Sequence, residues 1–122
     1  MIIRRRVDQD EMTALDKTKV IEFLNPNHGD GELKLDYSLA LAMLEPGERS
    51  LPHRFKTASE VYYITKGRGL MHIDDEMEEV GEGDAIYIPP MATQYIENAG
   101  EKRLEFLCIV YPPWKPDAEE LV

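Results

Sequence analysis

The sequence is short of basic residues, of cysteine and of long apolar runs, and each shortage removes a class of function. Lysine and arginine number 14 against 24 aspartates and glutamates, a net charge of −10 with histidine neutral. The summed field of such a chain repels a phosphate backbone, so nucleic acid is not an expected partner. Arg4, Arg5 and Arg6 form the only basic block, and so short a run reads as a solvated or interface strand. A single cysteine, Cys108, excludes an intrachain disulfide and favours a reducing, cytoplasmic setting. No stretch approaches the length and apolarity of a membrane span, so a membrane is not an expected partner either. Asp8, Asp10 and Glu11 interrupt any apolar leader after the arginines, so the N-terminus reads as untargeted.

What is present is enough for one core. The 122 residues, 43% of them hydrophobic, match a single domain that needs no disulfide. Turn formers recur at strand-sized intervals: Asn25-Pro26-Asn27, Gly29-Asp30-Gly31, Pro46-Gly47, Lys66-Gly67-Arg68-Gly69, Asp74-Asp75, Gly81-Glu82-Gly83-Asp84, Pro89-Pro90 and Asn98-Ala99-Gly100. Between them, residues 61–65, 85–88 and 104–110 are rich in β-branched and aromatic side chains. From Leu33, the alternation Leu33, Leu35, Tyr37, Leu39, Leu41, Met43 predicts one long two-faced strand. Only Asp10 to Lys17 could carry a short helix. The prolines after Tyr111 end the last strand, Trp114 is expected to fold back onto the barrel or a partner subunit, and the acids Asp117, Glu119 and Glu120 read as a frayed, solvated tail. Short strands with these breakers predict an all-β antiparallel sandwich or closed barrel.

Histidines number three, so each can be weighed separately. His53 follows Pro52 after the Pro46-Gly47 turn, and Glu60 opens an apolar strand in which it shares a face with Tyr62 and Ile64. A carboxylate on such a face needs a metal, a cation, hydrogen-bond donors or a proton. His28 lies in a loop, where a solvated histidine is the default and a place over the barrel mouth the alternative. His72 is expected to pair with neighbouring acids. Cys108 shares a face with Phe106 and Val110 and reads as a small core residue, with no neighbour in sequence to activate a thiolate. The acids from Asp74 to Asp84 read as a solvated hairpin without an ordered calcium loop, and Gly67-Arg68-Gly69 as a turn without the helix start of a phosphate loop.

Two spaced motifs then stand out. Gly47, His53, Phe55, Glu60 and Gly67 resemble the first cupin motif, which reads Gly, His-x-His, Glu, Gly; Gly83, Pro89, Met91, Gln94 and Asn98 resemble the second, which reads Gly, Pro, Gly, His, Asn. The resemblance implies a double-stranded β-helix, or jelly roll, over residues 33–111, with residues 1–32 as an arm of extension strands and 112–122 as a tail. It also implies a site inside the barrel with metal ligands at His53, Glu60 and Gln94, and a pocket wall of Phe55, Phe106 and Cys108. Phe55 and Gln94 replace two histidines of the family pattern, and Met91 replaces a glycine. A phenyl ring cannot coordinate, while an amide oxygen is a neutral, harder donor than imidazole. A two-histidine, one-carboxylate oxygenase site is therefore not expected.

Three functions follow as expectations. The first is an enzyme in which a divalent transition metal, Mn²⁺, Fe²⁺, Ni²⁺ or Zn²⁺, acts as Lewis acid on a small oxygenated metabolite such as a sugar, sugar phosphate or carboxylic acid, in isomerase, epimerase or lyase chemistry. Without metal, Glu60 would serve as base and Tyr62 as acid. The second is a non-catalytic module that binds its ligand against Phe55, Tyr62 and Phe106, and the third an assembly protein with a filled barrel. A homodimer is expected, because the sheet edges of so small a barrel need covering.

Overall fold

The computed structural model describes residues 1–28 and 33–122, so the turn expected at Gly29-Asp30-Gly31 lies outside the described residues. Among the described residues eleven strands follow one another: β1 Met12–Thr13, β2 Lys19–Leu24, β3 Ser38–Leu44, β4 His53–Phe55, β5 Ser59–Lys66, β6 Arg68–Ile73, β7 Glu76–Gly81, β8 Ala85–Ile88, β9 Gln94–Asn98, β10 Leu104–Tyr111 and β11 Glu119–Leu121. They form a six-stranded sheet in the order β1-β2-β3-β10-β5-β8 and a five-stranded sheet in the order β11-β4-β9-β6-β7. All pairings are antiparallel. This is the expected all-β jelly roll, with β1 and β2 as its N-terminal extension strands.

The tight connections need particular residues. Gly67 joins β5 to β6 at φ +85°, and a Cβ there would lie 2.7 Å from the carbonyl oxygen of Arg103, so no other residue fits without moving β10's approach. Met91 occupies the glycine position of the second motif, yet its backbone keeps the left-handed φ of +70°. The turn retains a glycine's geometry with a side chain that resists it.

Period-two alternation divides the larger sheet into two apolar faces. Ala42, Leu44, Tyr62, Ile64, Leu104 and Phe106 turn inward to meet Met71, Ile88 and Ile96 in the main core. Leu41 and Met43 turn the other way and pack with Ile21, Phe23 and Leu107. The small residues Ala40 and Ala42 are thus the ones that β3 presents to the barrel interior, and they leave room there.

Three expectations need correction. The long strand begins at Ser38, not Leu33: Asp36 and Tyr37 form a bend, and Ser38 starts the ladder opposite Val110. Asp10 to Lys17 is no helix. Met12–Thr13 pairs with β2, Lys17 has φ +76°, and the Asp16 carboxylate accepts hydrogen bonds from the amide and hydroxyl of Thr18. Aspartate's short acceptor competes with helix formation in this way. The C-terminal acids are not frayed, because β11 pairs with β4 through Glu119↔Phe55, Glu120↔Arg54 and Leu121↔His53. Trp114 anchors that return: it packs with Phe55, Ala58 and Val110 and donates its indole N–H to Glu119.

Candidate functional site

The site begins with cross-strand pairs. His53 of β4 stands directly opposite Gln94 of β9, and Tyr62 of β5 stands opposite Cys108 of β10. Such pairs share a face. Glu60 is two residues before Tyr62 on β5 and points the same way. The fold thereby brings His53, Glu60, Tyr62, Phe55, Phe106 and Cys108 to the walls of one cavity of about 380 Å³. Gln94 sits behind that wall, wholly buried.

A short chain of hydrogen bonds fixes the polar side. The Tyr62 hydroxyl donates to the Gln94 amide oxygen at 2.9 Å, and the Gln94 amide nitrogen donates to Glu60 Oε1 at 3.0 Å. Among the described residues Glu60 Oε2 has no hydrogen-bond partner. Burial pushes the Glu60 carboxyl well above its ordinary pKa, with Glu119 and Asp16 adding to the rise and the Gln94 bond opposing it. Burial also raises the Tyr62 phenol and the Cys108 thiol, and Glu60 contributes to both. Cys108 is therefore a thiol of the wall, not an activated nucleophile.

His53 is 2% exposed. Its Nδ1 lies 2.7 Å from the Leu51 carbonyl, which fixes a proton on that nitrogen. Its Nε2 faces Asp16 Oδ2 at 3.5 Å. A proton on Nε2, or a cation between the two atoms, is what relieves that approach of two acceptors.

Asp16 and Glu119 were invisible as site residues in the sequence. One lies in the N-terminal arm and the other in the C-terminal strand, and both line the cavity. Burial raises the Glu119 carboxyl, with His53 pulling it down and Asp16 pushing it up. The only sequence signal for either was an acid beside a turn, which is shared by many solvated residues. His28 also lines the cavity, held by Glu22 and set edge-on to Trp114. His72 is elsewhere: it bonds Glu97 at 2.7 Å and stacks on Tyr95.

The divalent ion implied by the family resemblance can be tested against these donors. His53, Glu60 and Gln94 are adjacent, but the Gln94 oxygen is engaged by Tyr62 and its nitrogen by Glu60. Among the described residues no three histidine, cysteine, aspartate or glutamate side chains converge closely enough to hold an ion. As arranged, the residues do not fit a three-ligand metal centre.

Two antiparallel sheets closed around a cavity with a polar cluster on one wall define a jelly-roll barrel with an internal pocket. The cupin domain family matches residues 40–110, and the chain belongs to that family. An uncharacterized protein of Methanocaldococcus jannaschii is 42% identical over 107 residues, covering 88% of this chain and 83% of that one. A cupin 2 conserved barrel domain protein from Salinispora arenicola superposes with a TM-score of 0.78 at 15% identity, over 91% of this chain and 88% of that one. Oxalate decarboxylase from Bacillus subtilis, a protein with Mn(II) centres, superposes with a TM-score of 0.78 at 21% identity, over 95% of this chain but 30% of that one.

Proposed function

We propose that this cupin binds a small oxygenated metabolite inside its barrel and serves it with one proton-handling carboxyl, Glu60. The observation that carries the reading is the cavity of about 380 Å³, walled by Ala40, Ala42, Phe55 and Phe106 and headed by His53 and Glu60. A filled barrel, as an assembly protein would have, lacks such a space. Its volume lies in the range of small-molecule pockets, which pair an apolar body with a few placed polar groups.

Within the site, Gln94 acts as a positioning residue. It ties the Tyr62 hydroxyl to Glu60, which lines the cavity and uses Oε1 for that bond. A carboxyl whose pKa burial lifts well above its ordinary value is suited to donate a proton to a ligand oxygen and take one back, which is the requirement of isomerase, epimerase and lyase chemistry. Tyr62, with its hydroxyl committed to Gln94, supports that role and shapes the wall. No step passes through a metal.

The test is a thermal-shift screen of chelator-treated protein against neutral, cationic and anionic metabolites, repeated with Mn²⁺, Ni²⁺ or Zn²⁺. A ligand that stabilises the protein without metal, and fails to stabilise Ala40→Leu, supports the reading. Stabilisation by metal alone, or by ligands that act equally on Ala40→Leu, overturns it.

A further inference from the structure

We infer that the barrel cavity takes an apolar ring carrying a hydroxyl at one end, such as a phenol, and not a sugar or a sugar phosphate. This rests on the reading of the cavity as a small-molecule site and adds the class of its occupant.

The cross-strand register lays out the cavity floor. Across β2, β3 and β10, Val20, Ala42 and Phe106 stand side by side in one row. Two residues along the strands Ala40 lies beside Cys108, and two further still Val110 lies between Ser38 and Glu60. All of these side chains line the cavity. The middle of the floor is therefore apolar from Ala42 to Cys108 and turns polar at the row of Ser38 and Glu60, four residues or about 13 Å from Ala42 along the strand.

The polar groups around that floor are largely spent on one another. Thr18 donates to Asp16, His28 and Asn25 engage the two oxygens of Glu22, Ser38 accepts the Trp114 amide, and the Tyr62 hydroxyl is committed to Gln94. Glu60 and Glu119 each engage one oxygen, the first with Gln94 and the second with the Trp114 indole. Both belong to the end where His53 meets Asp16. A ligand hydroxyl both donates and accepts, so it suits that end whether or not Glu60 holds its proton. A sugar carries hydroxyls all round its ring. Those over Ala40, Ala42 and Phe106 would lose water and find no partner, each weakening binding about tenfold. A phosphate would find no fixed cation, since among the described residues no lysine or arginine lines the cavity. The rings of Phe55, Phe106 and Trp114 in the walls favour an aromatic occupant.

The test titrates chelator-treated protein with 4-ethylphenol, ethylbenzene, 4-(2-hydroxyethyl)phenol and myo-inositol, following the amide chemical shifts of Ala40, Ala42 and Cys108. Relative to 4-ethylphenol, ethylbenzene lacks the oxygen, 4-(2-hydroxyethyl)phenol adds a hydroxyl at the far end, and myo-inositol has hydroxyls all round. 4-Ethylphenol should bind more tightly than ethylbenzene by about threefold or more, and more tightly than either polyhydroxylated probe by about tenfold or more. Ala42→Ser sets a hydroxyl at the apolar end and should cut the advantage of 4-ethylphenol over 4-(2-hydroxyethyl)phenol by about threefold or more. Ala40→Leu should abolish the cavity shifts with every probe. Myo-inositol or 4-(2-hydroxyethyl)phenol binding in the cavity as tightly as 4-ethylphenol overturns the inference and leaves the small-molecule reading standing. Equal binding of ethylbenzene does the same, because the hydroxyl then meets no polar end. Cavity amides unmoved by all the probes, or shifts that persist in Ala40→Leu, overturn both readings, since nothing of ring size then occupies the barrel.

Discussion

Replacing Glu60 by glutamine isolates the most unusual charge in the barrel. Glutamine keeps an oxygen for the Gln94 amide to donate to and cannot ionise. The Glu60 carboxyl is 5% exposed and held well above its ordinary value of 4.5 by burial. In the unfolded chain it loses its proton near that ordinary value. Between the two pKa values the native state therefore binds one more proton than the unfolded state, and stability falls as pH rises. For one proton the slope reaches about 1.4 kcal/mol per pH unit at 25 °C. Below the unfolded value both states are protonated and the contribution is fully present; it is lost as pH rises through the native value. Glu60→Gln lacks this slope. Urea unfolding followed by Trp114, the single tryptophan and part of a buried cluster, should show the difference between variant and parent widening from pH 4.5 upwards in the variant's favour. Parallel stability curves from pH 4 to 8 would refute the reasoning, because they would mean that Glu60 is ionised beside a compensating cation throughout.

Four further outcomes are expected. Met91→Gly should raise stability by about 0.5–1 kcal/mol, the relief of a left-handed backbone cost of roughly 1–2 kcal/mol less the entropy of a glycine; calorimetry checks it. Tyr62→Phe leaves the buried Gln94 oxygen without its donor and should cost about 1–3 kcal/mol in urea titration. By freeing that oxygen, it should also tighten Mn²⁺ or Ni²⁺ binding at His53, Glu60 and Gln94 relative to the parent in calorimetric titration. Arg6→Ala should cost no more than about 1 kcal/mol near neutral pH, since Arg6 is half exposed. Its hydrogen bonds hold the Glu105 carboxyl below its ordinary value, so the contribution is present above that value and the difference from parent should close as pH falls through the native one. Sedimentation at micromolar concentration should show a dimer, consistent with exposed Ile2, Ile3 and Val7 on the N-terminal arm; a monomer at every concentration contradicts it.

Strand spacing and the two motifs made the barrel legible, because each turn carries its own breaker residue and period-two alternation survives in β5. The same alternation says less at β3. It showed that Leu39, Leu41 and Met43 share a face without showing which way that face turns: Leu41 and Met43 pack outside, and Ser38, Ala40 and Ala42 line the cavity. Small residues carry little signal in a sequence, yet here they make the cavity. His53, Glu60 and Tyr62 could be placed together because a buried carboxylate demands partners. Asp16 and Glu119 could not, because their burial depends on the two chain ends folding over the same opening. Gln94 was legible as a position and not as a role: only the geometry shows its oxygen committed to Tyr62.

The most direct measurement of the central claim is a chemical-shift map of the labelled, chelator-treated protein with its best stabilising ligand. Shifts should concentrate at Asp16, Ala40, Ala42, Phe106 and Cys108 and be absent in Ala40→Leu. Shifts confined to the β6–β7 hairpin or to the outer face of Ile21 and Leu41, with the cavity residues unmoved, would contradict it.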